Sequence, residues 1–226
     1  MLLVGCGESY KREAPRGGTE YFPLYEDRQL RYRVIEYGKS SEYSMKLRFL
    51  GGDQYKVFAA SFEGKAPGGI EFRSHGQQLE AITQYSYTSL ESPEKKSEFS
   101  QMWIDESLEP GGFWSDTDTG TQTVFAGYED VTVPAGTFTD CYKTVTEALP
   151  ELPDSINARF DRGEMDGEML AQQLDNAKLV IIRWFARGVG LVKEKVGTSR
   201  FERELLAVEN KGWFSPSATA QPNEGN

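Results

Sequence analysis

The sequence predicts a mainly β domain of the α+β class carrying one helical insertion, and three observations lead there. Apolar and polar residues alternate at period two along much of the chain. Twenty-three Gly and ten Pro divide it into short segments, the pattern of strands joined by turns. Only one stretch, 153–178, places apolar residues at helical spacing. The 226 residues suit a single domain, and a chain of this length buries roughly 70% of its unfolded surface without disulfide or metal. Thirteen Phe, eleven Tyr and four Trp supply large apolar faces for that core.

Taken in order, the elements follow from local pattern. Leu30, Tyr32 and Val34 share one face and Ile35 and Tyr37 the other, which predicts a bulge or twist in the first long strand. Tyr43, Met45, Leu47 and Phe49 alternate with Glu42, Ser44, Lys46 and Arg48, a half-buried strand. Gly51-Gly52-Asp53 then turns into a strand at 54–61, forming a hairpin. Further strands are expected at 69–74, 78–89 and 98–104. The stretch 105–120 reads as an acidic loop with five carboxylates. Strands resume at 121–126, 131–133 and 138–147.

The segment 179–186 is nearly apolar on both faces, so it is the expected central strand. Gly188-Val189-Gly190 turns into 191–196, and Gly197-Thr198-Ser199 into 200–208, completing a meander. In the insertion, Met165, Met169, Leu170 and Leu174 form an apolar stripe. Such a stripe more often covers a sheet face than lids a pocket, and both readings stay open here. The tail, 215–226, is polar and expected to be disordered.

A formal charge of −10 argues against nucleic-acid binding, which needs basic patches, and against adsorption to anionic lipid. No apolar run approaches the ~20 residues of a spanning helix. Membrane attachment must therefore be covalent. Leu3-Val4-Gly5-Cys6 resembles a bacterial lipobox, in which cleavage precedes a Cys that has received a diacylglycerol. That resemblance implies that residues 1–5 are the remnant of a signal peptide and that Cys6 is lipidated. Each buried methylene of the anchor then contributes about 0.8 kcal/mol. Residues 6–20 are polar and Gly-rich, as a flexible tether should be, and 21–214 form the domain. Gly7 instead of Asp after the Cys is similar to outer-membrane sorting, with the protein facing the periplasm or the cell surface. With Cys6 lipidated, Cys141 has no internal partner, and its place in a strand-like run predicts a buried thiol.

Three blocks resemble a group of bacterial envelope lipoproteins. Tyr21-Phe22-Pro23-Leu24 followed by Leu30-Arg31-Tyr32-Arg33-Val34 is similar to their opening, although Leu30 stands where they carry Trp. Val131-Thr132-Val133-Pro134-Ala135-Gly136-Thr137-Phe138, followed by Cys141-Tyr142-Lys143, resembles their most recognisable signature. Trp184-Phe185-Ala186 with Gly188-Val189-Gly190-Leu191-Val192-Lys193 is similar to their closing hairpin. The resemblance implies a curved antiparallel sheet, or half-barrel, with the helix packed on its concave face, similar to lipoprotein carriers.

Catalytic signatures are missing from the sequence. The single histidine, His75, stands beside Gly76 and reads as a turn residue. No Ser occupies a Gly-x-Ser-x-Gly elbow. Asp116-x-Asp118-x-Gly120 lacks the oxygen ligand and the twelfth-position Glu of a calcium loop. No metal or cofactor is expected, and the protein is not expected to be an enzyme. A hydrolase built on a carboxylate pair is a minor alternative, but no spacing among 35 acidic residues singles out a pair. The expectation is a non-catalytic binding or carrier module for an apolar ligand, its pocket lined by Tyr43, Phe49, Trp184, Met165 and Met169. Its rival is an assembly lipoprotein that docks a protein partner through the acidic loop 105–118.

Overall fold

Period-two patterning becomes a run of antiparallel strands. A computed structural model describes residues 14–26, 28–52, 56–63, 70–89, 92–116, 120–148, 154–170, 179–197 and 201–209. A small ribbon pairs β1 (Gly17–Gly18) with β2 (Pro23–Leu24). Then come β3 (Gln29–Glu36), β4 (Lys39–Gly51), β5 (Lys56–Glu63), β6 (Ile70–His75), β7 (Gln78–Ser89) and β8 (Ser92–Asp105). The second half comprises β9 (Phe113–Asp116), β10 (Thr121–Val133), β11 (Gly136–Ala148), helix α1 (Asp154–Asp161), β12 (Leu179–Ala186), β13 (Gly190–Val196) and β14 (Phe201–Glu209).

Strands β3 to β14 form one sheet of twelve, ordered β8-β7-β6-β5-β4-β3-β14-β13-β12-β11-β10-β9. It consists of two six-stranded meanders joined where β14 pairs with β3, from Phe201↔Glu36 to Glu209↔Gln29. The sheet curls until its end strands face each other: the indole Nε1 of Trp114 on β9 donates to the carbonyl of Met102 on β8 at 3.2 Å. No ladder joins these two strands among the described residues, so the architecture is an open, strongly curved sheet of the half-barrel kind expected.

The concave face holds the core. On β4 the predicted alternation is realised, with Met45 and Leu47 buried and Lys46 and Arg48 exposed. The ribbon β1–β2 plugs the interior with Phe22, whose ring lies 5.1 Å from Phe72, 6.1 Å from Phe185 and 6.3 Å from Trp103. Gly190 makes room for it, since a Cβ there would sit 3.3 Å from the Phe22 ring, and its φ of 116° also favours glycine. Arg28 is fully buried behind the plug, donating through Nη1 to the Pro23 carbonyl and through Nη2 to that of Gly188. Burial lowers its pKa to about 10.

Several expectations are corrected. Tyr37 lies outside β3: with φ of 47°, and 75° at Gly38, it forms the two-residue turn into β4, and β3 pairs with β4 without a bulge. The acidic loop contains a strand, β9, built on Phe113 and Trp114. Segments 121–126 and 131–133 belong to one long strand, β10, interrupted by register shifts at Phe125/Gly127 and Glu129/Val131. Strand β12 has its expected limits but lies fourth from the β9 edge; the central pair is β3 and β14. Part of the expected tether belongs to the fold, because Arg16 N–H bonds the Leu24 carbonyl and Gly18 N–H bonds Ser74 Oγ. The insertion is helical at α1 and again from residue 167. Cys6, the turn residue Asp53 and the tail 215–226 lie outside the described residues.

Candidate binding cleft

Between the two walls of the curled sheet lies a cleft of about 410 Å³, within the range typical of small-molecule sites. Its apolar lining comes from Ile70, Ala81 and Trp103 on one wall and Ala148, Leu179 and Ile181 on the other. Thr83 and Gln101 add polar atoms to the first wall. Leu179 is 44% exposed and stands at the mouth. It pairs in register with Ala148, so the helical insertion both leaves and re-enters the sheet at the opening.

The floor is a row of charges set by strand register. Arg183 on β12 faces Glu194 on β13, which faces Arg203 on β14, and all three line the cleft. Arg183 Nε donates to Glu194 Oε2 at 2.7 Å, with both side chains buried. Arg203 Nη2 lies 3.4 Å from the other carboxylate oxygen, Oε1. Arg183 Nη2 also reaches Gln101 Oε1 across the cleft at 3.3 Å, and its guanidinium lies 4.6 Å from the Trp103 ring centre. Arg203 lies over Tyr32, Tyr43 and Phe201 at 5.9, 5.6 and 5.5 Å, contacts that favour a partly desolvated cation. Burial disfavours ionised Glu194, but the two guanidiniums outweigh it and hold the carboxyl below its ordinary pKa. Both oxygens of Glu194 are therefore committed, and its proton affinity is too low for a general acid near neutrality.

The residues expected from sequence to line a pocket are distributed differently, and none of the five lines this cleft. Tyr43 comes nearest: it stacks on Tyr32 at 5.5 Å under Arg203. Phe49 is half-buried, with the Arg16 guanidinium 5.4 Å from its ring. Trp184 points to the convex side, where its Nε1 donates to Glu129 Oε2 at 3.2 Å and Lys143 Nζ covers its ring. Along β12, Arg183 and Phe185 share one face and Trp184 takes the other, where it too is buried. Met165 is buried and Met169 is 46% exposed, both in the insertion.

The acidic loop is partly committed to the fold. Asp105 is buried and accepts from Gln78 Nε2 and from the backbone N–H of Ser107. Glu106 accepts from the N–H groups of Glu20 and Tyr21 and so fixes the plug. Asp118 lies outside the described residues. Cys141 is buried as expected, and burial together with nearby Asp130, Asp140 and Glu129 pushes its thiol up to about 12. His75 is an exposed residue at the end of β6, beside the turn at Gly76.

No protein-family model matches the sequence, and no curated protein matches it significantly. Two solved structures resemble it. One, from Parabacteroides distasonis and described as a lipoprotein, is 12% identical with a TM-score of 0.42; the match covers 84% of this chain and 99% of that one. The other is a Bacteroides fragilis protein with a YmcC-like fold, described as exported. It is 13% identical with a TM-score of 0.50, and the match covers 85% of this chain and the whole of that one. On that likeness, the curled twelve-stranded sheet described above is a fold of the YmcC-like kind.

Proposed function

We propose that this protein is a lipid-anchored module of the bacterial envelope that binds a ligand in its cleft without transforming it. The observation that carries the reading is the cleft itself. A fully packed structural domain closes its interior to a density near that of organic crystals, whereas here the two walls of the sheet stand apart around about 410 Å³. The lining is mixed, with Ile70, Ala81, Trp103, Ala148, Leu179 and Ile181 beside four uncharged polar residues, Thr83, Gln101, Thr121 and Thr146, and the charged row of Arg183, Glu194 and Arg203. A ligand site combines apolar surface with convergent polar groups in this way. The described lining residues include no histidine, serine or cysteine, and its single carboxylate is held between two arginines, which favours binding over catalysis. Envelope placement is supported by the lipobox-like Leu3-Val4-Gly5-Cys6 and by the description of the B. fragilis protein of similar fold as exported. Engagement of Asp105 and Glu106 within the fold favours the cleft over the acidic loop as the working surface.

Two measurements test this reading. Cells fed an alkyne fatty acid should label the wild-type protein and not Cys6→Ala, which should leave the membrane fraction. The neutral dye N-phenyl-naphthylamine should fluoresce with the wild type and not with Thr83→Trp, whose larger side chain fills the cleft. Label retained on Cys6→Ala would refute the anchor, and unchanged dye binding by Thr83→Trp would refute the site.

A further inference from the structure

We infer that the cleft is built for an amphipathic monocarboxylate, its head against Arg203 and Arg183 and its tail along Trp103, Ile181 and Leu179. The inference rests on the binding reading above and specifies the ligand class. Among the described residues lining the cleft there are two guanidiniums and one carboxylate, an excess of one positive charge. The chain as a whole carries −10, so this local excess runs against the general field. A charge in such a place is costly unless paired. Glu194 cannot balance both arginines: its Oε2 is taken by Arg183 at 2.7 Å, and its Oε1 is only 3.4 Å from Arg203.

Arg203 is the less satisfied of the two. Its Nε is buried without a hydrogen-bond partner, and its planar fork suits a carboxylate. Its guanidinium carbon lies 5.9, 5.6 and 5.5 Å from the ring centres of Tyr32, Tyr43 and Phe201, and its side chain, 20% exposed, lines the cleft. A monoanion brings the described floor to neutrality. A cation would meet two arginines, whereas a carboxylate would share Arg203 with Glu194 Oε1, which lies 3.4 Å from it. The apolar half of the lining rises from this floor towards Leu179 at the mouth, so head and tail have separate places.

Calorimetric titration of the full chain with decanoate, decanol and decyltrimethylammonium, each below its micellar concentration, tests the assignment. Decanoate should bind about tenfold more tightly than decanol, the effect of roughly one charge-assisted hydrogen bond, and the cationic probe should bind worst. Arg203→Gln should bring decanoate down to the level of decanol. Glu194→Gln, which raises the excess to two positive charges, should tighten decanoate and leave decanol unchanged; because this change works in the opposite direction, it stays informative if Arg203→Gln fails to fold. Equal binding of decanoate and decanol by the wild type would overturn the head-group assignment while leaving the binding module standing. Binding of none of the three probes would overturn both. Decanoate binding unaffected by Glu194→Gln would also overturn the assignment, because it would place the head elsewhere.

Discussion

Replacing Glu194 with Gln keeps the shape of the side chain and removes the only negative charge between Arg183 and Arg203. Breaking a buried ion pair by deleting one partner costs about 3–5 kcal/mol, because the remaining charge is left uncompensated. Here the close contact is Arg183 Nε to Glu194 Oε2 at 2.7 Å, between side chains 7% and 6% exposed. The Arg203 contact is longer, at 3.4 Å, and Arg203 is 20% exposed, so it adds less. Arg183 also retains Gln101 and the Trp103 ring, which offset part of the loss. The expected destabilisation is therefore near the lower end of that range, about 3 kcal/mol. Urea unfolding reads it directly: with a slope near ~3 kcal/mol/M for a chain of this size, the midpoint should fall by about 1 M at unchanged slope. The acid limb should change as well. The Glu194 carboxyl has a lowered pKa in the folded state, so its contribution is complete above the ordinary value of 4.5 and fades as pH falls through the lower folded value. The Gln variant should lack that component of acid unfolding. A loss below about 1 kcal/mol would refute the reasoning, because it would put the pair in the class of surface salt bridges.

Three further outcomes follow from named contacts. Gly190→Ala should cost about 1–3 kcal/mol by thermal or urea unfolding, since it combines a φ of 116° with a Cβ 3.3 Å from the Phe22 ring; an unchanged midpoint would mean that Phe22 does not plug the interior. Tyr37→Asn should stabilise by a few tenths to about 1 kcal/mol, because an exposed Tyr now occupies a left-handed turn position at φ 47°; a loss of stability would contradict the turn. Cys141, with its thiol pushed up to about 12 by burial and acidic neighbours, should resist Ellman's reagent at pH 8 until urea unfolds the protein. Prompt reaction in the native state would contradict its burial.

Much of the fold was legible in the sequence because strands carry their own signal. Met45 to Phe49 alternate in sequence and in burial, and β7 and β12 begin and end where patterning placed them. What local pattern cannot carry is which strand lies beside which. The pairing of β14 with β3 joins residues more than 160 positions apart, and it moves the centre of the sheet away from β12. Strand β9 is only four residues long and was hidden among carboxylates. Tyr37 looked like a strand residue because its aromatic ring suits a strand, and the turn conformation overrides that preference.

The cleft was less legible than the fold, for a physical reason. Tyr43, Phe49 and Trp184 were expected to line it, but the aromatic that does so is Trp103. Phe22, Phe72 and Phe185 pack the core, and Trp184 is buried on the other face of β12, bonded to Glu129. The missed signal was Arg183, one charge inside the otherwise apolar run Leu179–Ala186. A guanidinium in a strand buried on both faces requires a partner, and that requirement could have pointed to β13. Glu194 and Arg203 gave no such sign, because each alternates with charges of the opposite sign, Lys193 and Lys195 around the one and Glu202 and Glu204 around the other. Only register separates the inward row from the outward row in which Glu204 binds Arg33 and Lys193.

Native mass spectrometry of protein released from cell membranes in a mild detergent tests the central claim most directly. Wild type should carry, besides any covalent anchor, a dissociable small molecule that Thr83→Trp lacks, because the Trp side chain occupies the same space. A wild-type spectrum with no bound mass, or an adduct equally present on Thr83→Trp, would contradict a ligand-binding cleft between the walls of this sheet.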